Sequence, residues 1–257
     1  MIDDRPAFQS GVVRPMECLR GGWELIKDQY WLFLGISLVG VLIAGAAPMA
    51  ILAGPMMCGI YICLLRHARG KPVQFDMLFR GFNYFMQSFI ATLIMIIPVL
   101  VIMIPAYITF FAVMISQMPP PGQPGQNAPP PNPDAFANIM AAYAVFLLVV
   151  LIVSIVISVL FFFTYPLIVD RKLTGVQAVG ASFRAARANF GGVLGLVILL
   201  NLLGIVGAMA CYVGAIFVLP IHVAAVAVAY RQVFPRDDES MPTNDRDEDP
   251  RPVTIDD

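Results

Sequence analysis

Few side chains in this sequence are placed to do chemistry, and the sharpest case is His222. It is the one ionisable group set well inside an apolar run, Gly191 to Tyr230. An ionisable side chain in that setting is by default a functional hypothesis. No carboxylate stands at comparable depth to pair with it. The expected state is therefore an imidazole bonded to a neighbouring carbonyl or hydroxyl, with a proton relay as the sharper alternative. Asn201, in the same run, joins His222 as a candidate intramembrane polar site. Asn201, Ser37, Ser154, Ser158 and Thr164 are expected as interhelical hydrogen bonders, each contributing around 1 kcal/mol. A polar solute path lined by them is the other reading.

At the ends of apolar runs the chemistry is basic. Lys172, Arg184 and Arg187 suit anionic lipid headgroups, or they simply orient the chain by charge. Asp170 and Arg171 are expected to form a local ion pair at an interface. A catalytic carboxylate would want a second acid, a histidine or a metal beside it, so an enzyme would require Asp76, Asp170 and His67 to converge. Met56-Met57-Cys58 holds soft metal ligands, yet the 14 methionines are spread along the chain. The four cysteines, Cys18, Cys58, Cys63 and Cys211, form no CxxC pair and read as buried apolar residues. A Cys58–Cys211 disulfide is the alternative for two of them. No catalytic residue, metal site or cofactor is expected.

The elements that must position these groups are helices in lipid. Apolar residues make up 59% of the chain and charged residues 13%, about half the charge of a soluble domain. Mean hydropathy is +0.79. Several apolar runs reach the ~20 residues needed to cross a bilayer core. They are continuous rather than alternating, which selects helices over a barrel. The expected fold is all-α: a polytopic membrane bundle of about six transmembrane helices with three interfacial amphipathic helices. No cleavable signal peptide is apparent, so the first span would act as its own insertion signal.

Taken in order, residues 1–15 read as a loose N-terminus. Leu19, Trp23, Ile26 and Tyr30 share one helical face, and with Trp31 they suit a bilayer interface. Trp31 to Leu65 is too long for one span and is broken by Pro48 and Gly54-Pro55. It is expected either as a tight hairpin or as a partly re-entrant arm. Phe75, Leu78, Phe79, Phe82 and Phe85 form a second amphipathic stripe before the run Met86 to Met118. The stretch 119–134 holds eight prolines and no lysine or arginine, and is expected as an external connector. Ala135 to Val169 follows. Thr174 to Gln177 fits a capping box, and Val176, Val179, Phe183, Ala186 and Phe190 make a third stripe. The last run holds two spans with a turn near 207–214. Residues 236–257 carry nine acids and read as a disordered tail.

The sixteen lysines and arginines cluster at the N-terminus, in the loops 66–80 and 171–187, at the end of the last span and in the tail. The positive-inside rule places these in the cytoplasm. Each intervening stretch then crosses an even number of times, giving units at 16–65, 75–169 and 174–233 within one domain, 16–235. Both termini would be cytoplasmic in a multi-pass protein of the bacterial inner membrane. A weak repeat at an offset of 160 pairs Tyr30, Gly35, Leu42 and Gly54 with Phe190, Gly195, Leu202 and Gly214.

Several motifs together resemble a broad group of uncharacterised bacterial integral membrane proteins, known only as a domain of unknown function. These are Gly54-Pro55-Met56 through Gly59, Arg69-Gly70 with Leu78-Phe79-Arg80-Gly81-Phe82, Tyr165-Pro166-Leu167-Ile168-Val169-Asp170-Arg171, the Ala178 to Ser182 helix and Ala229-Tyr230-Arg231. The architecture is also similar to the membrane domain attached to some glycerophosphodiester phosphodiesterases. The resemblance covers roughly 16–235. It implies a six-helix inner-membrane protein and carries no activity or site residue with it. The functional expectation is a non-enzymatic protein of envelope organisation or scaffolding. Its partners would be membrane lipids, a cytoplasmic protein reached through the acidic tail, and another copy of the chain; no nucleic acid is expected. The alternative is a transporter or channel for a small or lipophilic solute, motivated by helices broken at Pro48, Pro55, Pro98, Pro105 and Pro220.

Overall fold

The helix breaks expected at Pro98, Pro105 and Pro220 are not made: one helix, Phe85–Ser116, runs through the first two and another, Val213–Val233, through the third, as membrane helices tolerate proline. The computed structural model describes residues 6–46, 51–117, 134–209 and 213–235. The proline-rich stretch up to Pro133, the acidic tail, Pro48 and Cys211 lie outside the described residues. Among those residues there are helices and no strand. In order they are α1 (Pro15–Ile26), a 3₁₀ turn (Lys27–Gln29), α2 (Tyr30–Ala46), α3 (Ala53–His67), a ten-residue 3₁₀ segment (Phe75–Tyr84), α4 (Phe85–Ser116), α5 (Ala135–Leu160), α6 (Thr164–Asp170), α7 (Gly175–Ala188), α8 (Phe190–Met209) and α9 (Val213–Val233). Pro15 opens α1 and Pro55 sits in the first turn of α3, where a missing amide hydrogen costs nothing.

Five stretches hold helices long and apolar enough to cross a membrane: Pro15–Ala46, Phe75–Ser116, Ala135–Asp170, Phe190–Met209 and Val213–Val233. The sixth expected span, α3, has 15 residues. That is about 22 Å at 1.5 Å per residue, short of a ~30 Å hydrocarbon core. Most of α3 is buried in the bundle.

The helices pair as three antiparallel hairpins. In the first, the Phe33 ring on α2 lies 5.1 Å from His67, and Gly40 lies against Ile60. In the second, Thr92 near the start of α4 meets Tyr165 after α5, with hydroxyls 3.0 Å apart. Farther along that pair, the Phe110 ring stacks on Phe146, 5.1 Å away. In the third, Gly207 meets Gly214 and Ala215 across the turn. Element starts in the first and last units fall at 15 and 175, 30 and 190, and 53 and 213, each 160 residues apart.

Each unit begins with a segment that packs on the closing helix of the unit before it. The 3₁₀ segment packs on α3, α7 packs on α6, and α1 packs on α9. The three units therefore close into a ring. Small residues permit the contacts. At Gly59 an added Cβ would collide with the Leu78 carbonyl, and at Gly81 with the Pro55 carbonyl. At Gly22 it would come within 2.7 Å of the Ala225 nitrogen, so the Gly21-Gly22 pair that weakens α1 as an isolated helix also seats it on α9.

The stripes of the second and third leading segments, expected to lie along a bilayer surface, stay largely outside the bundle. On α7 the buried face is Gly175, Ala178, Ala181, Ser182, Ala185 and Ala186, while Val176 and Phe183, and Phe190 at the start of α8, are exposed. Only Ala186 of the expected stripe is fully buried. In the 3₁₀ segment, side chains three apart eclipse; Leu78 and Gly81 face α3, while Phe75, Phe79 and Phe82 are exposed. The N-terminal stretch is not loose where it is described. The Gln9 amide donates to the Val233 carbonyl at 2.8 Å. Asn189, at the end of α7, is 3% exposed; it accepts from the Val12 amide and donates to the Gln9 carbonyl.

Candidate functional site

The polar chemistry gathers at one end of the bundle, where α3, α6 and α9 finish. Asp170, the last residue of α6, has a side chain 3% exposed. Its Oδ1 accepts from Arg69, just beyond α3, and its Oδ2 accepts from the Tyr230 hydroxyl at 2.9 Å. Arg171 Nε lies 3.8 Å from the same carboxylate. The local Asp170–Arg171 pair expected from sequence is thus the looser contact, and Arg69 is the principal partner. Arg171 also donates to the Pro235 carbonyl at 2.9 Å, and Arg231 to the Ala68 carbonyl at 3.4 Å. The capping box at α7 is present: the Gln177 amide donates to Thr174 Oγ1 and the Thr174 amide to Gln177 Oε1.

Beside this network lies a cavity of about 300 Å³ between α3, the 3₁₀ segment and α6. Arg66, Arg69, Lys71, Arg80 and Lys172 line it with Asp170, over a floor that includes Ile62, Leu65 and Val169. Of the three cations expected to meet headgroups, only Lys172 reaches it. Arg184 and Arg187 stand on the exposed face of α7, and the Arg187 guanidinium sits 5.5 Å over the Phe183 ring. Asp76 and His67 do not line the cavity. Among the described residues no three His, Cys, Asp or Glu side chains are grouped to hold a metal.

A second cavity, about 170 Å³, brings the two intramembrane candidates together. Asn201 and His222 line it with Tyr61, Ser158, Phe162, Val197, Leu200 and Val226. Asn201 and Ser158 are exposed, whereas Tyr61 is 4% exposed. Among the described residues Asn201 bonds within its own helix: its Nδ2 donates to the Val197 carbonyl one turn back at 2.8 Å. Ser37 and Thr164 are buried and their hydroxyls make no hydrogen bond among the described residues. Interhelical bonds among the described residues include those of Thr92 with Tyr165, of the Tyr30 hydroxyl to the Phe217 carbonyl, and of Ser182, which donates to the Leu160 carbonyl and accepts from the Phe163 amide. Cys18, Cys58 and Cys63 are buried free thiols.

Composition and spacing did not reveal the Arg69–Asp170–Tyr230 junction, because its members stand on three separate units. The signal that pointed there was motif content. Gly59 and Gly81 pack on one another's segments, and Arg69, Asp170, Tyr230 and Arg231 all belong to the quoted motifs. The fold and this site define a helical membrane protein with a charge-paired junction at one end. Comparison with protein-family models, with curated proteins and with solved structures returned no match.

Proposed function

We propose that this chain is a non-enzymatic, multi-pass protein of a bacterial inner membrane, with both termini cytoplasmic, that organises the envelope as a scaffold. The observation that carries the reading is the shape of the leading segments. Each turns small or medium side chains inward and leaves large apolar ones outward: Met16 and Trp23 on α1, Phe79 and Phe82 on the 3₁₀ segment, Val176 and Phe183 on α7. Rings and aliphatic groups beside Arg and Lys suit the headgroup boundary of a bilayer. The charge at the end where the basic loops meet supports a cytoplasmic orientation. A membrane family of unknown function remains the resemblance under which this reading falls. Capture of a cytoplasmic partner belongs to the acidic residues 236–257, which carry nine acids.

The polar cleft at Asn201 and His222 favours a second reading, passage or storage of a small lipophilic solute that carries a hydrogen-bonding group. Native mass spectrometry on protein released gently from membranes, as the full chain and as residues 1–235, separates the two. The scaffold reading expects a defined protein partner or oligomer on the full chain, with the partner lost from the truncated form and insertion unchanged. A stoichiometric small lipophile, released by His222→Leu and unaffected by truncation, would replace it with the second reading.

A further inference from the structure

We propose that the cavity between α3, the 3₁₀ segment and α6 is a binding site for one phosphate-bearing anion, either a lipid headgroup or a free phosphate. Five cations and a single carboxylate line it. The carboxylate is already engaged, since Asp170 accepts from Arg69 and from Tyr230. Arg66 directs its Nε to the Pro72 carbonyl at 2.9 Å. Lys71, Arg80 and Lys172 add three further positive charges around a space of about 300 Å³, the lower range of small-molecule sites. Like charges held round a shared cavity repel, and an anion in it removes that cost. Guanidinium and ammonium donors arriving from several directions match a tetrahedral phosphate, which accepts on every oxygen.

Two further features mark the place. Lys172 has φ of 51°, the left-handed region where glycine or asparagine would sit with less strain and where a long side chain is uncommon. Backbone strain of this sort clusters at ligand sites. The apolar floor and the exposed Phe79 and Phe82 on the same 3₁₀ segment suit a ligand with an apolar portion. The site does not depend on the scaffold reading, because anion binding here and partner capture by the tail succeed or fail separately.

The test uses the full-length protein in a non-ionic detergent at low salt, titrated calorimetrically with inorganic phosphate, dihexanoyl phosphatidic acid and dihexanoyl phosphatidylcholine. One saturable site is expected for at least one of the two anions, with the zwitterion at least tenfold weaker. Arg80→Gln with Lys172→Asn should weaken that site at least tenfold, whereas Arg184→Gln with Arg187→Gln, the same charge removed elsewhere, should leave it unchanged. Asparagine is chosen because it tolerates the backbone at 172. If that pair fails to fold, Lys71→Gln, on an exposed side chain, should weaken binding severalfold. Phosphatidic acid binding at least tenfold tighter than inorganic phosphate identifies a headgroup; equal affinities identify free phosphate. Absence of saturable binding by both anions, or equal losses in the two double variants, would overturn the proposal.

Discussion

Asp170 shows how a single side chain can join three units of a chain. A carboxylate at 3% exposure is tolerated only when its charge is answered, and here Arg69 and Tyr230 answer it from 101 and 60 residues away. Removing the acid leaves Arg69 facing a cavity already crowded with cations. Asp170→Ala is expected to cost about 3 kcal/mol, the lower end for breaking such a pair, because Arg69 is itself about a third exposed. Thermal unfolding in detergent would read this as a lowered midpoint. Pairing the change with Arg69→Met should recover part of the loss, and a double variant as unstable as the sum of the singles would show that the ion pair is not the source. Nothing in the spacing of Asp170 and Arg69 hints at their meeting, whereas the adjacent Arg171 is the obvious partner on paper and the more distant one in space.

At the scale of elements, the question is which face of each leading segment packs on the bundle. An amphipathic stripe marks the buried side of a soluble helix, because water penalises exposed apolar groups. In lipid that penalty is absent, and close packing selects small residues instead. That is why α7 buries alanines and leaves Val176 and Phe183 out, and why the 3₁₀ segment meets α3 through Gly81 and Gly59. Gly59→Ala places a methyl against the Leu78 carbonyl, so the 3₁₀ segment must lift from α3. Overpacking of this kind costs about 1–3 kcal/mol. A lower unfolding midpoint is expected, with looser protection of the 75–84 amides in hydrogen exchange. Gly180→Ala, on the exposed side of α7 with open space around it, serves as the control and should raise the midpoint slightly, since alanine favours a helix over glycine.

For the molecule as a whole, ring closure places the functional chemistry. Because α1 packs on α9, the 3₁₀ segment on α3 and α7 on α6, the basic stretches after α3 and α6 and the end of α9 arrive together. Arg231 holds Ala68, Arg171 holds Pro235, and Gln9 holds Val233. In a Cys211→Ser background, Asn127→Cys should react with an impermeant thiol reagent in intact cells and Thr243→Cys should not. Cys18, Cys58 and Cys63 are buried and should add little background. The reverse pattern of labelling would invert the orientation, and with it the side of the membrane from which the basic cavity is reached.

Hydrophobic continuity was enough to establish an all-α chain with helices long and apolar enough to cross a membrane, and residue types at fixed spacing were enough for the capping box at Thr174. These are local properties: each depends on residues within one or two turns of each other, or on the total apolar length of a run. Which cation answers Asp170, which face of α7 is buried, that Asn201 and His222 share a cleft, and that Lys172 joins Arg66, Arg69, Lys71 and Arg80 while Arg184 and Arg187 do not, were decided by tertiary structure alone. The physical reason is the same in each case. In an apolar surrounding, helices are held by close backbone approach and by a few long-range polar contacts, and neither leaves a periodic trace along the chain.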